Sequence, residues 1–329
     1  MKPSILIIAD FPNWAYYEIQ QFIKNNLSDE FTIYTDFVSF NSIKKSKNPI
    51  KRFKTYLDKN KYQEIRKDQK YDAVLYLGFY FEDLMRIKWD SKRVIKGIYT
   101  DSFPPKNSNF VGSKDDFKNK FLKNADAVVC GSEQIKKLYQ PIHDAVYYAN
   151  LVLDEISFKR DSEKEVNTTE KFIVGWTGNP SREFKGYYSH IIPAIVLAQK
   201  KYPKIELKSR FSGPMETLPR FYDDVDVVVI ASDADAGPSL FGEASLMEVP
   251  CISTDIGWPH QTISNGNNGF IIDKEIEEIS NKIIELYENR ALLFQMSKKI
   301  RKDFLIQYSR EKMANNWKQL FHNVLNKQG

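Results

Sequence analysis

Two carboxylates, Asp235 and Glu243, are separated by seven residues, and between them lies a loop of small and rigid residues, Gly237, Pro238 and Ser239. The run DVDVVVIAS before the loop predicts a buried strand. After it come a short helix to Met247 and a second strand from Cys251 to Thr254. Strand, glycine loop, helix and strand in that order form a parallel α/β unit whose loop sits at the carboxyl end of the sheet, where ligands bind. Free N–H groups at the helix start, with the positive end of its dipole, suit an anion such as a phosphate. A second stretch, GWTGNPSREFKG at 175–186, ends a strand in a glycine loop that carries Arg182 and Lys185 ahead of a helix. Two cations and a carboxylate that accepts hydrogen bonds from hydroxyls are what a phosphorylated, hydroxyl-rich ligand requires.

The spacing has a counterpart. Asp235, Glu243, Ala244 and Pro250, followed by TDIG and NGNNGF, resemble the motif of the retaining nucleotide-sugar glycosyltransferases of family 4, also called glycosyl transferases group 1. The resemblance implies a GT-B fold, α/β, with two Rossmann-like domains whose parallel sheets face across a cleft. It implies transfer of a sugar from a nucleotide-diphosphate sugar to a hydroxyl acceptor, a glycan or lipid-linked saccharide, with retention of anomeric configuration. Glu243 matches the acid that accepts hydrogen bonds from the donor ribose, and Asp235 the acid near the donor sugar. Lys185 and Arg182 match the cations that reach the diphosphate, with Asn179 nearer the usual place of the arginine. Gly178 and Gly213 line the nucleotide-sugar site in the same reading, and backbone amides around Gly237 to Ser239, the turn that contains Pro238, hold sugar and diphosphate. In the first domain, relatives place a His before an Asp at a strand end. Here Thr100 precedes Asp101, which leaves Asp101 as the first-domain candidate for catalysis. No cofactor and no metal are expected. Asp233 and Asp235 spell a DxD, a metal-binding signature of the other large glycosyltransferase architecture, but within a unit whose order matches the metal-independent class.

The elements that must position these groups alternate along the chain. Strands are predicted at Ser4 to Ala9, across FTIYTDFVSF, and at Ala73 to Leu77, Val94 to Tyr99, Ala127 to Cys130 and Ala145 to Tyr148, with helical patterns between them. Such alternation indicates a mostly parallel, helix-covered sheet. A polar stretch from Lys159 to Lys171 reads as a linker. A new sheet starts at FIVGWTGN and continues through IELKSRF, the turn at Ser212 to Pro214, and FII after Gly269; helical patterns then run from Ile276 to the end. The expected domains are 1–158 for the acceptor and 159–308 for the nucleotide sugar, with a helix at 309–329 packing back on the first. The first loop, DFPNW, has no glycine, so an ordinary NAD fingerprint is absent. Trp14, Tyr16 and Tyr17 offer either a stacking face for an acceptor sugar or simple core packing.

Composition narrows the classes. The 329 residues carry a net charge of +5, a modest surplus, but residues 41–70 hold eleven Lys and Arg against three acids. Ile50, Phe53 and Leu57 recur there at helical spacing among lysines, as in a helix lying on an anionic membrane; a solvated helix is the competing reading. Nucleic acid is not an expected partner. Cys130 and Cys251 end β-branched runs without metal-ligand spacing and read as reduced core thiols. The start, MKPSILIIAD, is too short in its apolar run for a signal peptide, and no run reaches membrane-spanning length, so a cytoplasmic enzyme is expected, with the basic stretch as its contact with the inner face of the membrane. The glycine-free first loop and missing first-domain histidine motivate one alternative, a non-catalytic nucleotide-sugar-binding partner subunit of a transferase.

Overall fold

A computed structural model describes residues 2–42, 48–100, 102–105, 110–150, 153–160 and 171–327. It divides into two compact units, 1–152 with 311–329, and 153–310.

The first unit is built on a sheet of six parallel strands: β1 (Ser4–Ala9), β2 (Thr32–Phe37), β3 (Ala73–Tyr76), β4 (Val94–Ile98), β5 (Ala127–Cys130) and β6 (Val146–Tyr148). Their order is β2-β1-β3-β4-β5-β6, and every pairing is parallel. All six residues of β1 are buried, as expected of a central strand covered on both faces. Helix Ala15–Leu27 turns Ile19, Phe22, Ile23 and Leu27 inward, one face at helical period. The stretch FTIYTDFVSF does not remain extended to its end. The strand stops at Phe37, and Val38–Asn41 forms a helical turn whose Ser39 N–H donates to the Asp10 carbonyl at 3.1 Å. The last helix, Arg310–Leu325, buries Met313, Trp317, Leu320, Phe321 and Val324. The fully buried Trp317 donates from Nε1 to the Asn150 carbonyl at 2.8 Å.

The second unit has strands β7 (Phe172–Thr177), β8 (Ile205–Arg210), β9 (Val227–Ile230), β10 (Cys251–Thr254) and β11 (Phe270–Ile272). Their order, β8-β7-β9-β10-β11, is again wholly parallel. The chain leaves β7 towards one edge and returns to build towards the other, so the switch in direction falls between β7 and β9. Ligands of open α/β sheets bind at the carboxyl ends of the strands flanking such a switch. The helical tail is three helices, Ile276–Glu288, Arg290–Tyr308 and Arg310–Leu325; the Asn289 side chain accepts the Leu292 N–H and starts the second.

The boundary between the units lies at 152/153, six residues before the position expected from sequence. Segment 153–160 is held by the second unit because Arg301 donates to the carbonyls of Glu155 and Phe158. The expected linker at 159–171 lies mostly outside the described residues, as do residues 43–47 of the basic stretch. Its helix, Pro49–Tyr62, is present, and Tyr56 and Leu57 on it are 60% and 50% exposed; the side chains of Ile50 and Phe53 are outside the description. Trp14 is exposed, whereas Tyr16 packs edge-on against Phe81 and Tyr99, and Tyr17 against Tyr62. Both cysteines are buried free thiols, and burial raises the pKa of each. No described helix is long and apolar enough to cross a membrane.

Candidate functional site

The loops that follow β7 and β9 meet at the switch point of the second unit. After β9 the chain passes through Asp235 and Gly237 to Pro238, which caps helix Ser239–Leu246 with extended backbone and no side-chain hydrogen bond. The glycine at 237 is required by what lies beneath it. A Cβ there would stand 2.5 Å from Cε2 of the Trp258 indole, and one at Gly242 would lie 3.1 Å from the same ring. Trp258, 2% exposed, is therefore the floor under both residues.

Glu243 is 4% exposed, the deepest carboxylate of the site. The Tyr222 hydroxyl donates to its Oε2 at 2.5 Å, and Thr177 Oγ1, at the end of β7, lies 3.5 Å from the same oxygen. Oε1 has no hydrogen bond among the described residues and is not among the fully enclosed unpartnered atoms. Burial raises the Glu243 pKa above the usual carboxylate range, while Tyr222, Thr177 and the Arg210 charge pull it back. Glu243 stands beyond the first turn of its helix, where the helix dipole offers an acid little support. Its depth and its phenol partner hold the carboxylate in one place with one oxygen uncommitted.

Asp235 and Lys185 form an ion pair through Oδ2 and Nζ, each side chain about one-fifth exposed (20% and 22%). The other carboxylate oxygen accepts the Gly237 N–H at 3.2 Å. Asp233 is turned to a different cation, Lys274, at 2.7 Å. The two acids of the DxD are thus committed to separate lysines, and no group of three or more His, Cys, Asp or Glu suited to a metal occurs among the described residues. Gly186 sits at φ +68°, and a Cβ there would come 2.4 Å from the Ala231 carbonyl oxygen, so glycine lets the 178–186 loop close onto the end of β9. Arg182 is exposed, with no side-chain partner among the described residues. Asn179 accepts from the Ser181 N–H and hydroxyl through Oδ1, which shapes the loop. Gly178 has φ +142°.

Gly213, at φ +134°, lies where a Cβ would meet the Arg210 guanidinium at 2.7 Å. Arg210 in turn holds the following turn by donating to the Pro214 carbonyl at 2.6 Å and to Thr217 Oγ1 at 2.9 Å. Asp101 lies outside the described residues. The structure thus brings Lys185, Asp235, Gly237, Pro238, Ser239 and Glu243 to the two loops at the switch point. Sequence reasoning missed Thr177, Tyr222, Lys274 and Trp258. None is placed by a local pattern, since each acts on residues far outside its own turn or strand.

Residues 196–303, about a third of the chain and including the Asp235–Glu243 stretch, match the family model described as Glycosyl transferases group 1. Among curated proteins, N-acetyl-alpha-D-glucosaminyl L-malate synthase of Bacillus anthracis is 22% identical over 233 residues, 62% of this chain and 61% of the relative. The chain therefore spans about three-fifths of that relative's length. Among solved structures, sucrose-phosphate synthase of Thermosynechococcus elongatus superposes with a TM-score of 0.69 at 12% identity, over 98% of this chain and 99% of the other. HepE of Anabaena, solved with UDP and glucose, gives 0.66 at 12% identity over 97% and 99%. The fold is the GT-B one, with two Rossmann-like domains.

Proposed function

We propose, from the group 1 match as premise, that this chain is a glycosyltransferase that moves a sugar from a nucleotide-diphosphate donor to a hydroxyl acceptor with retention of configuration. One observation carries the reading: a buried carboxylate, Glu243, stands at the sheet's switch point with Oε2 fixed by Tyr222 and Oε1 without a hydrogen bond among the described residues. That arrangement suits a ribose hydroxyl, which donates to Oε1. Lys185 and the exposed Arg182 stabilise negative charge growing on the departing diphosphate, together with the uncapped start of helix Ser239–Leu246. Asp235 lies beside Lys185 and orients the donor sugar. The bond from the anomeric carbon to the phosphate oxygen breaks, the acceptor oxygen bonds that carbon from the same face, and the leaving phosphate oxygen takes the acceptor proton. No nucleophilic side chain and no metal enters this scheme, and turnover is expected to survive a chelator.

The names of the similar proteins make UDP-linked glucose and N-acetylglucosamine the first donors to try. Release of UDP from each, with and without saccharide acceptors, is followed for the wild type and Glu243→Gln, and the anomeric configuration of product is read by NMR. Turnover that falls at least tenfold in the variant supports the reading; failure of the wild type to bind any nucleotide sugar sinks it. Binding without turnover across acceptors would favour the non-catalytic partner subunit. The remaining parts of the reading are cytoplasmic location and contact of the Pro49–Tyr62 helix with anionic membrane. Sedimentation with phosphatidylserine vesicles at low salt tests the latter, and absence of binding there removes it.

A further inference from the structure

The helix that carries Glu243 is only two turns long, eight residues from Ser239 to Leu246, and it has neither an acid in its first turn nor a base in its last. Its terminal carbonyls are met by cations brought from elsewhere in the chain. Arg301, on helix Arg290–Tyr308, donates through Nη1 to the Leu246 carbonyl. Arg160 donates through Nε to the Met247 carbonyl at 2.6 Å. The same Arg160 reaches the end of a second helix, Leu218–Tyr222, donating to the Tyr222 carbonyl at 2.9 Å and the Asp223 carbonyl at 3.2 Å. Tyr222 is the residue whose hydroxyl fixes Glu243. One guanidinium therefore ties the backbone at both ends of the Tyr222–Glu243 hydrogen bond. Arg301 completes the frame by bonding the carbonyls of Phe158 at 2.6 Å and Glu155 at 2.9 Å, in the segment that delivers Arg160.

All six contacts are to main-chain carbonyls, and among the described residues neither guanidinium lies in an ion pair with a carboxylate. A planar fork of five donors satisfies several carbonyls at once, which the single ammonium of lysine does with poorer geometry. Two positive charges at the negative end of a short helix also stabilise it. Burial pulls the pKa of both guanidinium groups down from the ordinary arginine value, the Asp223 and Glu248 charges opposing this at Arg160 and Glu248 opposing it at Arg301.

We propose that Arg160 and Arg301 are positioning residues for the ligand-binding carboxylate: they fix the helix ends that set where Glu243 and Tyr222 stand, and so determine recognition of the donor ribose. The proposal rests on the donor reading of Glu243. Of the two, Arg160 is the stronger determinant because it touches both helices.

The test compares binding of UDP and 2′-deoxy-UDP by calorimetry to wild type, Arg160→Gln, Arg160→Lys, Arg301→Gln and the control Ile283→Val. Ile283 is a fully buried aliphatic residue on helix Ile276–Glu288, so its truncation lowers stability without touching the frame. The wild type is expected to prefer UDP by roughly tenfold or more, the worth of a hydrogen bond to a charged acceptor. Arg160→Gln is expected to reduce that preference to within about threefold of unity, Arg301→Gln to reduce it less, and Arg160→Lys to recover part of it. Ile283→Val keeps it. If the wild type binds UDP without preference, the ribose reading of Glu243 fails, and this proposal with it. If the wild type discriminates and Arg160→Gln discriminates equally, the proposal alone is overturned. Should Arg160→Gln not fold, Arg160→Lys decides: full preference with fewer carbonyl bonds overturns the proposal, partial preference supports it.

Discussion

Replacing Tyr222 by Phe removes one oxygen from the site, and its effect follows from the surroundings of Glu243. The phenol donates to Oε2 at 2.5 Å, while the other neighbour, Thr177, stands at 3.5 Å and contributes weakly. A hydrogen bond to a charged group is worth about 1.5–3 kcal/mol, and more of that appears when the partner left behind is buried, as Glu243 is at 4% exposure. The sign of the pH dependence is fixed as well. Burial raises the Glu243 pKa in the folded state, so the folded protein holds a proton that the unfolded chain has released, and stability falls as pH rises through that interval. Without the phenol the ionised form loses its main support and the folded pKa rises further. Urea denaturation of Tyr222→Phe should therefore show a loss of about 1.5–3 kcal/mol at pH 8 that shrinks towards about pH 3, below both the folded and the unfolded pKa. UDP affinity should fall by roughly tenfold in parallel, since the carboxylate loses its fixed position. A loss below about 0.5 kcal/mol, or one that does not change with pH, would refute the reasoning, because a neutral hydroxyl-to-hydrogen change elsewhere in a core has no such slope.

Three further outcomes are expected. Lys185→Ala should lower turnover by roughly one to two powers of ten, since a charge-assisted bond to phosphate contributes about 1.5–3 kcal/mol; adding Asp235→Asn separates loss of the cation from exposure of its partner, and full turnover in the single variant would make Lys185 a solvent-facing charge. Gly186→Ala should cost roughly 1–3 kcal/mol in thermal unfolding from its left-handed backbone, with more from the 2.4 Å approach to Ala231, and stability equal to wild type would contradict the loop's geometry. Asp36 is fully buried and its carboxyl is pushed up to about 6, chiefly by burial. Its folded pKa lies above the unfolded value, so it should erode stability by up to about 3 kcal/mol as pH rises from about 4 to about 6, a slope that Asp36→Asn should flatten in chemical denaturation.

The strands were legible because parallel sheets covered on both faces need continuous β-branched runs, and VVVI, AVVC and CIST supply them within a residue or so of where pairing starts and stops. The Asp235–Glu243 spacing marked the strand–loop–helix unit for the same reason, local order encoding local structure. The commitment of Glu243 to Tyr222 was not legible, because a bond across 21 positions leaves no periodic trace. Nor was the pairing of Asp233 with Lys274 rather than with Asp235 around an ion, nor the arginine frame, whose acceptors are main-chain carbonyls present at every position. The end of β2 at Phe37 was overrun because Ser39, read as extended by composition, finds a carbonyl partner in the neighbouring strand's loop. Sequence pattern reports which groups are apolar and where the chain turns; it does not report which polar atoms meet.

The contact between Lys185 and Asp235 governs which anions the loop admits. Asp235 offers one oxygen to the ammonium and the other to the Gly237 amide, so a carboxylate already stands as a surrogate anion among groups suited to phosphate. On the donor reading proposed above, an entering diphosphate exchanges one negative partner for another instead of neutralising a bare cation. Weak anions such as chloride or sulfate gain little by intruding, and only a ligand anchored elsewhere at the same time, by its ribose or its sugar, has enough interaction to displace the resident.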